Sequence, residues 1–148
     1  MACTPIPLAT GGTCAVQPND IGSTLECMVT AANGGWSATV TTPATAVAAA
    51  AVAPSVVSPP TASSAEPTVG VPYYASIGTW SGTPDIAYAY QWSACDASGT
   101  VCTAIAGATG STYVLTVADM GQFLEVRVTA SNSGGSTTAA SNLANTSG

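Results

Sequence analysis

The stretch FLEVRVTA, residues 123–130, decides the fold of this chain, because apolar and polar residues alternate along it. Successive side chains of an extended strand point to opposite faces, so Leu124, Val126 and Val128 share one face. The charged residues between them fall on the other face. The stretch therefore predicts a β-strand that turns its apolar face toward a core.

The same stretch has a counterpart near the start of the chain, because the sequence contains an internal repeat. Residues 3–42 align without a gap with residues 102–141, and nearly half of the aligned positions are identical. One shared triplet is Val29-Thr30-Ala31, which falls on Val128-Thr129-Ala130. A common bias toward alanine and threonine does not give this agreement, so the chain holds two copies of one unit.

The second copy is preceded by strand-like runs that the first copy lacks. Together with the repeated part, these runs lie near residues 56–57, 73–77, 86–94, 112–117, 123–130 and 136–140, separated by glycine and proline signals. In one of them, Tyr88, Tyr90 and Trp92 fall on the same face. About seven short strands in this length predict an all-β fold, an antiparallel β-sandwich with a partial copy ahead of it.

A set of short motifs in the second copy carries a family resemblance. The motifs are Gly78-Thr79-Trp80-Ser81-Gly82, Tyr90-Gln91-Trp92, Cys95 with Cys102, Ile105-Ala106-Gly107-Ala108-Thr109, Ser111-Thr112-Tyr113, Asp119-Met120-Gly121 and Val128-Thr129-Ala130. Through them, residues 54–142 resemble an immunoglobulin-like repeat of bacteria and phages, which occurs in tandem in surface proteins and virion structural proteins. The resemblance implies an immunoglobulin-like sandwich with Trp92 in its core, used as a spacer, an adhesion module or a particle decoration.

The two copies divide the chain into three parts. We expect residues 1–42 to form a truncated immunoglobulin-like repeat, residues 43–65 a linker rich in proline and alanine, and residues 66–148 a complete domain whose first strand could begin near residue 54. Three or four strands cannot bury an apolar face and their edges alone. A partner chain, the complete domain or a second copy could cover them, and we favour a partner because the linker is long and stiff.

Two pairs of cysteines are expected to form disulfides. Cys95 and Cys102 flank a short hairpin, which brings their strands close enough for a bond of normal geometry, and two reduced cysteines are the alternative. Cys14 and Cys27 align with apolar positions of the second copy, so both are expected to point into the sandwich from neighbouring strands. A second disulfide there would hold the truncated copy together, whereas a reduced, buried pair is the alternative.

The fifth cysteine and the bend of the first copy are the expected contact points with a partner. Cys3 aligns with Cys102, but the strand that would carry its bonding partner is missing, so Cys3 either stays free or bonds to another chain, which we favour. The pair Asn33-Gly34 favours a tight hairpin turn, and Trp36 follows it. An exposed ring there would anchor an interface, whereas packing against its own neighbours is the alternative.

The composition argues against catalysis and against several kinds of binding site. The chain has no histidine and no lysine, Arg127 is its single basic residue, and its formal net charge is −6. A cysteine nucleophile needs a basic partner, and a metal site needs clustered ligands. Glycoside hydrolysis needs two carboxyl groups that flank a cleft. Binding of nucleic acid or of an anionic membrane needs a patch of basic side chains. We therefore expect no enzyme, no cofactor, no metal site, and no binding of nucleic acid or membrane.

These features lead to a functional expectation. The chain is predicted to be a structural protein of a phage particle, a capsid or tail decoration or linking subunit on the virion surface. Its expected partners are other virion proteins, such as capsid or minor capsid protein, contacted through residues 1–42 and covalently through Cys3 if that bond forms. A homo-oligomer is a further option. The rival hypothesis is a fragment of a secreted bacterial adhesin or carbohydrate-binding protein at the cell surface.

Overall fold

The chain is built from antiparallel β-strands in two compact units. The structure, a computed structural model, describes residues 4–7, 10–63 and 66–146. The units are residues 1–50, called here the N-terminal unit, and residues 51–148, called here the C-terminal unit. The helical elements of the described residues are two 3-10 turns, and neither has the length or hydropathy to cross a membrane. The all-β prediction is confirmed.

The N-terminal unit contains one 3-10 turn and one β-hairpin. The turn covers Pro18–Asp20, and the hairpin consists of β1, Met28–Ala32, and β2, Ser37–Thr41. The strands pair without a register shift, with Val29 opposite Val40. The β-branched valines and threonines of both strands favour the extended backbone.

The C-terminal unit is an antiparallel β-sandwich. Its strands are β3 Ser55–Ser58, β4 Thr61–Ala62, β5 Pro72–Ser76, β6 Thr79–Ser81, β7 Ala87–Cys95, β8 Cys102–Ala104, β9 Thr112–Val114, β10 Phe123–Asn132, β11 Gly135–Ala140 and β12 Ala144–Asn145. The largest sheet has the order β11-β10-β7-β8, with β12 also paired to β10. The longest strands, β7 and β10, therefore lie side by side in this sheet. The other strands form the sheets β4-β5-β9 and β3-β6.

The core of the C-terminal unit centres on Trp92. Its side chain is completely buried, and its ring packs against Tyr73 and Tyr113 at centroid distances of 5.9 and 6.1 Å. Its Nε1 donates a hydrogen bond of 3.0 Å to the carbonyl oxygen of Gly110, so the one polar atom of the ring is satisfied. The apolar face predicted for β10 is confirmed, because its leucine and its two valines are fully buried.

Part of the segment expected to be a linker belongs to the sandwich. Within residues 43–65, the strands β3 and β4 pair with β6 and β5. Pro54 and Pro60 are almost completely buried, and the boundary between the compact units falls after Ala50. The proline-rich composition indicated a stiff spacer, but these prolines pack at the ends of short strands, where a missing N–H costs no ladder hydrogen bond.

Candidate functional site

The N-terminal unit reproduces the turn that precedes the main strand of the C-terminal unit. Its 3-10 turn, Pro18–Asp20, aligns with the turn Val117–Asp119. In both, a carboxylate oxygen accepts the backbone N–H three residues earlier, at 2.8 Å, from Gln17 to Asp20 and from Thr116 to Asp119. The repeat seen in the sequence is therefore also a repeat of local structure.

The hairpins of the two units also correspond residue by residue. Val29 lies opposite Val40 just as Val128 lies opposite Ala139. Pairs of threonine hydroxyls on the other face, one pair in each hairpin, lie 3.0 and 2.8 Å apart. The backbone N–H of Cys27 donates to Thr42 Oγ1 at 3.0 Å, and its counterpart in β10 makes the equivalent bond at 3.0 Å. The N-terminal unit is thus the second half of the repeat.

The two halves differ in what lies beside their main strand. β10 is paired on both edges, with β11 on one side and β7 on the other. Within the part of the chain that the structure describes, β1 is paired only with β2. One edge of β1 therefore presents backbone N–H and C=O groups that have no strand partner.

The apolar face of the N-terminal hairpin is exposed. We call it the open face and define it by the residues that alternate onto one side of the two strands and their approach: Leu25, Cys27, Val29, Ala31, Ala38 and Val40. Val29 is 59% exposed and Val40 is 70% exposed, whereas Val128, the counterpart of Val29, has no exposed surface. The same valine is therefore buried in one copy and exposed in the other.

The bend of the N-terminal hairpin carries the residues predicted to form an interface. The side-chain oxygen of Asn33 accepts the backbone N–H groups of Gly35 and Trp36 at 3.2 and 3.1 Å, which closes the bend. Gly34 is exposed at the tip. The Trp36 side chain is 84% exposed, so the alternative of local packing is not what the structure has. Alternation along β2 places the ring on the same side as the open face.

The equivalent bend in the C-terminal unit is covered. The Asn132 side chain donates hydrogen bonds to the carbonyl oxygens of Val52 and Thr83, both at 2.9 Å. A side chain at Gly134 would lie 2.7 Å from the backbone of residues 51–53. Gly35, the counterpart of Gly134, has open space at the same place. A tryptophan thus follows the bend in the copy where none of the described residues covers the neighbouring glycine.

The cysteines divide between the two units. Cys95 and Cys102 form the predicted disulfide, with an S–S distance of 2.02 Å across β7 and β8. The predicted bond between Cys14 and Cys27 is not formed, because both are free, exposed thiols. Cys3 lies outside the described residues.

The second disulfide fails for a structural reason. Tyr113, the counterpart of Cys14, sits on β9, which is held in place by pairing with β5. The described residues of the N-terminal unit include no counterpart of β5, and Cys14 lies in irregular backbone. Nothing therefore holds the Cys14 thiol across a core from Cys27.

The buried carboxylate of Asp119 has a structural role. Asp119 Oδ2 accepts hydrogen bonds from the Tyr113 hydroxyl, the Thr116 hydroxyl and the Thr116 backbone N–H, all at 2.8 Å. Burial opposes ionisation, but these bonds outweigh it and hold the pKa of Asp119 below its ordinary value. Asp119 therefore stabilises the turn before β10.

One cluster of potential metal ligands lies beside the disulfide. Cys95, Cys102 and Glu125 bring their sulfur and carboxylate atoms within 4.8 Å of one another. Both sulfurs are bonded to each other, and Glu125 Oε1 accepts a hydrogen bond of 2.7 Å from Arg127 Nε. The cluster is therefore occupied by bonds of its own.

The residues of the open face were only partly recognisable in the sequence. Sequence reasoning predicted an uncovered apolar face but did not single out Val29 and Val40. The available signal was the alignment of Val29 with Val128, whose burial follows from the alternation of β10.

Comparison with known proteins does not indicate a function for the chain. No family model matches the chain, and no match is found among the curated proteins or the solved structures. The open face and Trp36 are therefore the features from which a function is argued.

Proposed function

We propose that the chain is a non-enzymatic structural protein of a phage particle, a capsid or tail decoration or linking subunit that docks through its N-terminal unit. The observation that carries this proposal is the open face. Its residues repeat those of β10, which bury their side chains completely once a neighbouring strand and an opposing sheet are present. A half-sandwich with that face exposed is built to be covered by a partner.

The physical chemistry of β1 supports docking. An isolated two-stranded hairpin is marginal in water, and burial of each exposed valine would contribute about 1.5–3 kcal/mol. Soluble proteins usually protect an open edge with charges, prolines or bulges, but β1 reads MVTAA and pairs without a bulge. The edge is unprotected, as expected for an edge that is covered in an assembly.

The chemistry of the C-terminal unit supports a structural role. Its core is sealed by Trp92, its hairpin is fastened by a disulfide, and Asp119 is engaged by three hydrogen bonds. The whole sequence offers no histidine and no lysine to act as a general base. We read this unit as an immunoglobulin-like spacer that presents the docking half.

The resemblance to bacterial and phage repeats leads us to place the chain at the virion surface, with capsid or minor capsid protein as its partner. A covalent link through Cys3 stays a prediction. The tandem arrangement of the repeat also suits a secreted adhesin, which would instead bind a glycan or a host surface through a complete domain.

The test compares docking of two variants to particles. Antibodies against the recombinant chain first establish whether purified virions contain it. Full-length Val29→Asp should then lose docking to particles that lack the protein, because a charge would be buried on the open face. Val57→Asp changes a valine that is 68% exposed in the C-terminal unit and should dock normally. Absence from virions combined with specific glycan binding would favour the adhesin.

A further inference from the structure

In the C-terminal unit, strand β7 pairs with the edge of β10 that corresponds to the unpaired edge of β1. It runs antiparallel to β10, with Trp92 opposite Val126 and Tyr90 opposite Val128. Trp92 lies in the same buried cluster as Val126 and Leu124. A single strand thus satisfies the backbone edge of β10 and contributes the largest side chain of the core that the apolar face of β10 joins.

The geometry points to a strand of the same kind on the N-terminal unit, an inference that rests on the proposed docking function. Because β1 and β2 keep the register of β10 and β11, a β7-like strand would run antiparallel to residues 24–32. A residue in the place of Trp92 would lie opposite Cys27, and one in the place of Tyr90 opposite Val29.

We infer that the partner offers an extended, uncharged strand with aromatic or other large apolar side chains at alternate positions. β7, with the sequence AYAYQWSAC, is the pattern for it. The open face supplies small and medium side chains, so the large ones come from the partner, as they come from β7 in the C-terminal unit.

A second copy of this chain does not suit as the donor. β7 is hydrogen-bonded on both edges, to β10 and to β8, so its release would open the sandwich around Trp92. Pairing of β1 with β1 of a second copy would satisfy two edges but would place only small and medium side chains beside the open face, with none as large as the Trp92 that β7 places beside β10. The donor strand is therefore not β7 or β1 of a second copy.

The bend shows where the partner departs from the C-terminal unit. There, the backbone of residues 51–53 occupies the space beside Gly134. In the N-terminal unit, the place of the following glycine, Gly135, is taken by the exposed ring of Trp36. A side chain at Gly135 would meet Ala53 Cβ at 3.3 Å, so the partner has no side chain in the place of Ala53, and the Trp36 ring packs against the end of the donor strand.

The experiment adds a synthetic donor strand to the full-length chain. The peptide has the sequence of residues 87–95 with Cys95→Ser and flanking lysines for solubility, and hydrogen exchange of backbone amides is followed by NMR. Saturating peptide should slow exchange of the Met28, Thr30 and Ala32 amides by about tenfold or more, because these amides lie on the open edge and gain partners. Exchange in β10 should not change, since its own β7 is tethered beside it at high effective concentration.

Two matched controls make the result specific. A peptide with Tyr90→Thr and Trp92→Thr keeps the backbone but lacks the large side chains, and it should give no protection. Trp36→Gly, which installs the residue of the other copy, should weaken binding of the first peptide by about tenfold. Tyr74→Ala, which truncates another exposed aromatic side chain, should leave binding unchanged.

Three outcomes would overturn the inference. These are equal protection by both peptides, no protection by either, or protection that rises with chain concentration in the absence of peptide, which would identify self-pairing. If particles nevertheless capture the chain in a manner that Val29→Asp abolishes, the proposed docking function stands and only the type of partner strand is wrong.

Discussion

The two copies of the repeat share a register and differ in their surroundings. In the C-terminal unit, β10 lies between two strands and its valines are fully buried, whereas the equivalent valine of β1 is 59% exposed. Local sequence is therefore sufficient for the turn and the hairpin, which form in both copies. Burial requires the preceding half of the repeat, and only the C-terminal unit contains it among the described residues.

The largest effect is expected from removing the side chain that closes the covered copy. Trp92→Ala should destabilise the C-terminal unit by about 3–5 kcal/mol, because it leaves a cavity in the centre of the core. Urea unfolding of the full chain, followed by circular dichroism, measures the change. A loss below about 1 kcal/mol would mean that Trp92 does not hold the two sheets together.

A matched pair of leucines compares the two copies directly. Leu124→Ala should lower the free energy of unfolding by about 2–5 kcal/mol, since Leu124 is completely buried. Leu25→Ala alters the equivalent residue of the open copy and should change the free energy of unfolding by less than about 1 kcal/mol. Equal losses for the two variants would show that the N-terminal unit is covered in the free chain.

The disulfide is expected to stabilise only the covered copy. Replacing Cys95 and Cys102 together by serine should reduce the stability of the C-terminal unit by about 2–3 kcal/mol, the value for a short closed loop. The free thiols Cys14 and Cys27 give the control, because the same double replacement there removes no bond. Labelling under non-reducing conditions should modify Cys14 and Cys27 and leave the other pair unreacted.

A smaller, pH-dependent effect is expected at Asp119. Its folded pKa lies below the ordinary value because hydrogen bonds outweigh the effect of burial, so its ionised form stabilises the fold above the unfolded pKa. This contribution should disappear as the pH falls from about 4 through the folded pKa. Asp119→Asn should therefore reduce the difference in stability between about pH 7 and about pH 3. An unchanged difference would assign the acid sensitivity to other carboxylates.

Most of the fold could be predicted from alternation and from the repeat. The period of two identified β7 and β10, and the hairpin between Cys95 and Cys102 identified their disulfide. The strand β3 begins at Ser55, in agreement with a first strand near residue 54, but the extent of the linker and the bond between Cys14 and Cys27 both depended on packing. Composition could not show that Pro54 and Pro60 are buried, and alignment could not show that Cys14 lacks a paired strand to position it.

The docking surface was visible only when the two copies were compared in three dimensions. Trp36 and Gly135 align in sequence, which shows that the two side chains differ in size but not that their surroundings differ. Gly135 has a φ of 141°, which favours glycine, and a side chain there would meet Ala53 Cβ at 3.3 Å, whereas the Trp36 ring of the open copy is exposed.

The central claim is that the same half-sandwich is covered in one unit and open in the other. Hydrogen exchange of the free, full-length chain at low concentration tests it, by comparing residues 24–32 with residues 123–131. We predict protection in the second segment that exceeds the first by about a thousandfold or more, since core strands open only with global unfolding. Similar protection of the two segments would contradict the claim.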